Sequence, residues 1–350
     1  MRAPAGLHLE YVSPAACPAR WGDVLGVATF NGTSAGALDG MTADIPVAHV
    51  SMPVLAAPAV CEVWRAGTPA TSGRHQRVSF RRTADMLFGC IAITEADVAA
   101  RTPPASGRPH SALHEATAQA YAEICATLDA QEFPHLLRVW NYLPDINGDA
   151  DGTERYREFN AARQHALRAS GRAVAGSVPA ASALGAASDS PLLVYFLAGR
   201  TPPLFVENPR QVSAYHYPRQ YGTHSPVFSR AVLLRQSGSL TLFVSGTSSI
   251  VGHRSVHAGD TAAQTRETLA NIKALVGEAN RVARGAHFSA RELTCKVYVR
   301  RPADLPTIQA QLGEALGTGT QILYLRGDIC RADLLVEIEA TAISPLTAAA

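Results

Sequence analysis

"LFVSGTSSIVGHRSVHAGDTAAQTRETLANIKALV", residues 242–276, decides how this chain is read. Leu242-Phe243-Val244 is an apolar strand that runs into the small residues Ser245, Gly246, Thr247, Ser248 and Ser249, and then meets His253 and His257. From Asp260 the pattern changes. Thr265, Leu269, Ile272 and Val276 recur at helical spacing, so the spacing predicts a helix over 260–276, with Asp260 or Thr261 as N-cap. "LTCKVYVRRP", 293–302, reads as the next strand. With "SLTLFVSG" (239–246) in front, the stretch is one β-α-β unit.

The same order occurs earlier in the chain. "DMLFGCIAIT" (85–94) resembles "LTLFVSGTSS" (240–249). "LHEATAQAYAEICATL" (113–128) repeats the helical pattern with Thr117, Tyr121, Ile124 and Leu128. "RVWNYLPDI" (138–146) matches "KVYVRRPADL" (296–305), and "RYREFNAARQHAL" (155–167) matches "LPTIQAQLGEAL" (305–316). "SPLLVYFLAG" (190–199) matches "ADLLVEIEAT" (332–341). Short apolar runs resemble one another often, but a series in register implies duplication. Two β-α-β-α-β units are therefore expected, at roughly 76–200 and 220–345, with a Pro-rich connector between them. "VLGVATF" and "PVAHVSMPVL" give residues 1–75 strand-like runs without a clear long helix, as in a worn third copy or an arm. "RAGTPATSGR" (65–74) and "RTPPASGRP" (101–109) read as surface loops.

Composition bounds the function. A chain of 350 residues with 47 % hydrophobic residues can bury two or three cores. A net charge of +2, spread along the chain, lacks the clustered basic face of a nucleic-acid binder. Cys17, Cys61, Cys90, Cys125, Cys295 and Cys330 form no CxxC pair and sit among apolar flanks, which fits reduced thiols. No apolar run has the length of a membrane span or a signal h-region, so a soluble cytoplasmic protein is expected.

Divergence between the copies marks candidate chemistry. Leu334-Leu335-Val336 matches Leu192-Leu193-Val194, but Glu337-Ile338-Glu339 replaces Tyr195-Phe196-Leu197. Period-two alternation puts both glutamates on one face of an otherwise apolar strand. They are either paired structural acids or a general acid whose proton is held by burial and a like-charged neighbour. The hydroxyl run 245–249 is specific to the later copy, and the earlier copy has Gly89, Cys90, Ile91 and Ala92 at the matching positions. It has no GxSxG elbow and no GK[ST], so a small-residue pocket wall is preferred to a nucleophile or phosphate loop. A His-Glu metal site at His253 and His257 has little support from the loop-like flanks. Arg155, Arg163, Arg219, Arg230 and Arg331 are candidate carboxylate holders, and Tyr215, Tyr217 and Tyr221 candidate ring contacts.

"SPVFSRAVLLRQSGSLTLFVSG", "GDTAAQTRETLANIKALV" and "LLVEIEATAI" resemble the RidA (YjgF) family, which forms trimers of small α+β domains with sites between neighbours. The fuller likeness is to the chorismatases, which resemble three fused RidA-like domains. "NYLPDIN", "ERYREFN", "ENPRQVSAYHYPRQYG", "SGTSSIVGHRSVHAGDTAAQT" and "GDICRADLLVEIEA" carry it, over most of 76–345. The resemblance implies an α+β fold of fused RidA-like (chorismate-mutase-like) domains with pseudo-threefold symmetry. Its units would be a degenerate 1–75, a central 76–200 and a C-terminal 201–350. It implies cleavage of chorismate with release of pyruvate, by a monomer with no metal or organic cofactor and no nucleic-acid or membrane partner. It places the acid at Glu337, substrate contacts at Arg155, Arg163 and Tyr215, and Ser248 and Cys330 beside the ring. Cys330 is the expected steering group for 3-hydroxybenzoate as product, with a dihydroxycyclohexadiene carboxylate as the hydrolytic alternative. The absence of arginine from Pro306 to Leu325 departs from the RidA deaminases and points away from imine deamination. A RidA-type imine deaminase is the second reading, and a non-catalytic binder of a small carboxylate is the third.

Overall fold

The computed structural model describes residues 6–13, 21–31, 44–56, 60–101, 110–150, 152–236, 238–283 and 286–346. Cys17 and most of the 101–109 stretch lie outside them. The N-terminal unit has strands β1 (His8–Val12), β2 (Val24–Asn31), β3 (Val47–Leu55) and β4 (Cys61–Arg65). The central unit begins with β5 (Thr71–His75), β6 (Val78–Arg82), β7 (Met86–Ile93) and helices α1 (Glu95–Arg101) and α2 (Ala112–Gln131). It continues with β8 (His135–Pro144), a ribbon of β9 (Asp149–Ala150) and β10 (Thr153–Glu154), α3 (Arg155–Ala169), β11 (Ala180–Ala186) and β12 (Leu192–Gly199). The C-terminal unit has β13 (Leu204–Val206), β14 (Ala231–Gln236), β15 (Ser239–Ser248) and a ribbon of β16 (Ile250–Val251) and β17 (Arg254–Ser255). After these come α4 (Thr261–Val282), β18 (Thr294–Val299), α5 (Leu305–Leu316), β19 (Ile322–Arg326), β20 (Asp328–Ile329) and β21 (Val336–Pro345).

The repeat read from the sequence is a repeat of topology. The central sheet runs β11-β8-β12-β7-β6-β5 and the C-terminal sheet β19-β18-β21-β15-β14-β13. In each the first pair is parallel and the rest antiparallel. The N-terminal strands β3-β2-β4-β1 reproduce the first four positions, again with only the first pair parallel. The third copy kept its strands. Residues 13–23 join β1 to β2, where the other copies place the 20-residue α2 and the 22-residue α4. The helices agree in detail. Thr117 and Thr265 are both fully buried, and each donates its hydroxyl to the carbonyl four residues back, at 2.8 and 2.7 Å. Asp260 is the N-cap of α4, its side chain accepting from Ala263 N at 2.9 Å.

Each sheet turns one face to its own unit and the other to a core shared by all three. Trp64, Trp140, Tyr195, Phe243 and Tyr298 belong to the shared core, with Trp140 stacked on Tyr195 at 4.5 Å between centroids. Such side chains are worth about 1.5–3 kcal/mol each on burial, which makes this core the main glue between units. Edge pairing adds to it. β3 pairs with β19, and β20 pairs with β11. The fold class is α+β, with three units of one strand order packed around the shared core. One expected loop is a strand. Thr71–His75 pairs with Val78–Arg82 as the edge of the central sheet, so that sheet starts just before position 76. An edge strand needs no apolar face of its own, and Gly73 leaves room for the Phe80 ring. Cys61, Cys90, Cys125 and Cys295 are buried. Among the described residues no helix is long and apolar enough to cross a membrane.

Candidate active site

Ser245 to Ser249 are occupied with the backbone at a bulge. β15 and β21 pair regularly to Val244 and resume at Thr247, one register apart. The hydroxyls satisfy what the bulge frees. Ser245 Oγ donates to Ser229 O at 2.6 Å and accepts from Ala181 N at 2.9 Å. Thr247 Oγ1 donates to Ser245 O, and Ser249 Oγ to Val256 O. Gly246 and Ser248 are left facing a cavity.

This cavity lies between the central and C-terminal units. Tyr156 and Arg157 of α3 form one wall, and Tyr217, Tyr221 and Phe228 of the connector another. Arg230, Gly246, Ser248, Cys330, Arg331 and Glu337 line it further, with Glu154 of β10, Pro226 and Ile250. A smaller recess shares Tyr156, Phe228, Gly246, Cys330 and Glu337, and adds Arg163 and Ala181–Ala183.

Strand alternation sends Val336, Ile338 and Ala340 into the helix-side core, and turns Glu337 and Glu339 inward, 4 % and 5 % exposed. Their surroundings differ sharply. Glu339 accepts from Arg138 at 2.8 Å, Trp140 Nε1 at 2.6 Å, Ser182 Oγ at 2.6 Å and Tyr298 OH at 3.2 Å, and lies 3.0 Å from Lys296 Nζ. Burial pushes its carboxyl up, but Lys296, Arg138 and Ser182 together outweigh that and hold it down to about 2. Glu337 accepts a hydrogen bond from Ser248 Oγ at 3.3 Å. Burial, and then the charge on Glu339, push Glu337 up to about 8. One strand thus carries an anion and, at neutral pH, a protonated acid that faces the cavity.

Three arginines surround the acid with spare donors. Arg163 and Arg230 are each 2 % exposed. Arg163 donates to Asn160 Oδ1 at 3.0 Å, and Arg230 to Val212 O at 2.7 Å and Tyr217 OH at 2.8 Å. Arg331 lies over the Tyr221 ring at 4.0 Å and donates to His253 O at 2.9 Å. Among the described residues, Nε of Arg163, Nε of Arg230 and Nη2 of Arg331 are buried without a hydrogen-bond partner. Buried guanidinium N–H groups left open around a cavity suit an anionic ligand.

Of the residues singled out in the sequence, Glu337, Ser248, Cys330 and Arg163 come together here. Arg155 does not. Its Nε donates to Pro144 O at 2.9 Å and its guanidinium pairs with Glu95, so it fastens the start of α3 to the end of β8 and to α1. Counting Arg155 and Arg163 on one helix face overlooked that the first residue of a helix is held by the preceding loop. Tyr215 packs on the central core, and its neighbours Tyr217 and Tyr221 line the cavity instead. Arg219 is exposed. His253 lies 3.2 Å from Tyr221 OH and His257 3.1 Å from Glu267, and the described residues hold no metal-binding cluster. Burial, and then Glu337, push the Cys330 thiol up to about 12, so it stays a neutral thiol at pH 7. Tyr156 and Phe228 were missed. An aromatic one residue inside a helix, or beside a connector proline, carries no signal of its own.

Residues 62–198 match the family model for the N-terminal part of FkbO/Hyg5-like chorismatases. A chorismatase of Streptomyces rapamycinicus is 39 % identical over 288 residues, which cover 79 % of this chain and 80 % of that protein. A 3-hydroxybenzoate synthase of Streptomyces hygroscopicus is 35 % identical over 303 residues, 84 % of each chain. A crystal structure of a chorismatase superposes with a TM-score of 0.82 at 32 % identity, covering 97 % of this chain and 98 % of that one.

Proposed function

The chain belongs to the chorismatase family, and from that premise we propose that it splits chorismate into pyruvate and 3-hydroxybenzoate, with Glu337 as the acid that starts the reaction. The observation that supports this most is a buried carboxylic acid facing a cavity ringed by arginines with open donors. Chorismate is a dianion with an enol ether. Protonating the methylene carbon makes an oxocarbenium ion, and only a neutral acid can deliver that proton. Arg163, Arg230 and Arg331 hold the two carboxylates, which fixes the methylene against Glu337.

The adjacent ring hydroxyl then displaces the ether oxygen from its carbon. Pyruvate leaves, the hydroxyl proton returns to Glu337, and an epoxide remains. Opening of the epoxide and loss of a ring hydrogen as a proton give 3-hydroxybenzoate, so the split consumes no water. Attack by water instead gives the dihydroxycyclohexadiene carboxylate. Cys330, a neutral polarizable thiol beside Glu337 in both the cavity and its recess, fills the space water would need. The test is incubation with chorismate, assay of pyruvate, and chromatography of the ring product. No pyruvate refutes the reading as a whole. Pyruvate with a non-aromatic diene as main product refutes the 3-hydroxybenzoate assignment. With 3-hydroxybenzoate as product, Cys330→Ala shifts the mixture toward the diene or other benzoates.

Two further outcomes follow from the geometry. A Cβ on Gly246 would lie 2.0 Å from Glu337 Oε1 and 3.0 Å from Ser182 Oγ. Gly246→Ala therefore moves the acid, and displacements near 1 Å cost on the order of 10²-fold in rate. The measurement is kcat on protein shown folded by circular dichroism. Arg163→Ala lowers kcat/KM about 10- to 100-fold, the value of a charge-assisted bond. Arg155→Ala lowers the melting temperature and moves kcat/KM little. The reverse ranking would return Arg155 to the substrate. The chain supplies all three units itself, so we take the working form to be a monomer, and a trimer mass by light scattering at micromolar concentration would contradict this.

A further inference from the structure

We propose that Glu339 is a positioning residue for the acid at Glu337, and that the N-terminal unit, which lines no part of the cavity, takes part in catalysis by fixing Glu339 through Glu62 and Lys296. The proposal deepens the reading of Glu337 as the proton donor and rests on it. Its basis is a buried charge cluster where the three units meet.

Lys296 and Arg138 occupy matching places in two copies. Lys296 pairs across the sheet with Glu339, and Arg138 with Leu197, the residue that Glu339 replaces. Both are 1 % exposed. Two cations in the shared core require two anions. The C-terminal unit supplies Glu339 and the N-terminal unit Glu62, itself 1 % exposed and 2.6 Å from Lys296 Nζ. Tyr195 OH and Trp64 Nε1 donate to Glu62 at 3.1 and 2.7 Å. Two charges of each sign balance the cluster. A further anion at Glu337 would unbalance it, so the proton stays on Glu337 while Glu339 stays ionised.

A physical link joins the cluster to the site. Ser182 Oγ accepts from Arg138 at 2.6 Å and from Gly246 N at 3.0 Å, and donates to Glu339 Oε2 at 2.6 Å. Gly246 abuts the Glu337 carboxyl. One hydroxyl therefore ties the anion to the backbone that seats the acid. The groups facing Glu337 come from every side. Glu154 stands on β10, Tyr156, Arg157 and Arg163 on α3, Tyr217 and Tyr221 on the connector, Arg230 at β14, and Cys330 and Arg331 on the loop before β21. Tyr298 pairs with it across β18, and Arg138 reaches it from β8. The arginines oppose the effect in the free enzyme, and a bound dianion neutralises them. Glu339 is the fixed negative charge on the strand of Glu337 itself.

The test titrates Glu337 without substrate, so its outcome does not depend on what the substrate is. Protein labelled with 13C at the glutamate carboxyl is followed by NMR against pH, and the Glu337 resonance is assigned by its loss in Glu337→Gln. In Glu339→Gln the Glu337 midpoint falls by more than one pH unit. In Glu62→Gln it falls less but in the same direction. The alkaline limb of kcat/KM for chorismate moves down with it, so the Glu339→Gln deficit at pH 7 shrinks at pH 5. An unchanged midpoint in folded Glu339→Gln overturns the proposal even if pyruvate is still released. If Glu339→Gln does not fold, Glu62→Gln decides alone, and an unchanged midpoint there overturns the role of the N-terminal unit. A uniform loss of rate with no change in the pH profile also overturns it.

Discussion

Glu337→Gln abolishes pyruvate release from chorismate, by roughly 10²- to 10⁴-fold, the usual cost of removing a general acid. The amide keeps the size of the side chain and its bond to Ser248 but cannot protonate carbon. Loss of activity alone would not separate chemistry from unfolding, and the stability of the variant does. Glu337 titrates at about 8 in the folded chain, against 4.5 as its ordinary value. The folded state binds this proton more tightly. The contribution is therefore complete below the ordinary value and is lost as pH rises through the folded one. Glutamine is neutral at every pH. The variant should thus melt at or above the wild-type temperature, with the difference growing from pH 5 to pH 8, while its activity is gone. The wild-type rate should be flat near pH 6–7 and fall as pH passes about 8. A variant that melts lower at pH 8 and keeps wild-type kcat would move the acid elsewhere.

The strand pattern and the helical spacing were enough to find both full copies, because duplicated packing keeps its periodicity. The third copy was legible only as strand-like runs, since 13–23 leaves too little chain for the long helix that makes the repeat visible. Glu337 and Glu339 stood out because charge in an apolar strand is costly and must have a reason. Their division of labour was not legible. It depends on Arg138 and Ser182 from another unit and on Lys296 from another strand, and these sit 201, 157 and 43 positions away in sequence. Lys296 looked like an ordinary lysine in "KVYV", and Glu62 like one acid among several near the N-terminus. Arg155 and Arg163 were indistinguishable by spacing. The loop at Pro144 takes one of them, and the recess beside Glu337 keeps the other.

Lys296→Met should destabilise the protein by about 3–5 kcal/mol, because it leaves two carboxylates in a dry core without their shared cation. Methionine fits the space of the aliphatic stem, so the loss is one of charge. The ammonium lies within 3.0 Å of Glu62, Tyr195 OH and Glu339, over a Trp140 ring 5.4 Å away. The deficit should depend on pH in a stated direction. The depressed pKa of Glu339 means that its stabilising contribution is present above the ordinary value of 4.5 and lost as pH falls through about 2. Without Lys296 that contribution shrinks, so the variant differs most from the wild type at pH 7 and less at pH 4. Denaturant unfolding at the two pH values measures this. Adding Glu62→Gln to Lys296→Met removes one of the stranded anions, while Arg138 still holds Glu339. The double variant should therefore lie closer to the wild type than Lys296→Met alone. If Lys296→Met costs less than about 1 kcal/mol, the cluster is screened as a surface pair would be, and the N-terminal unit holds the others by apolar packing alone.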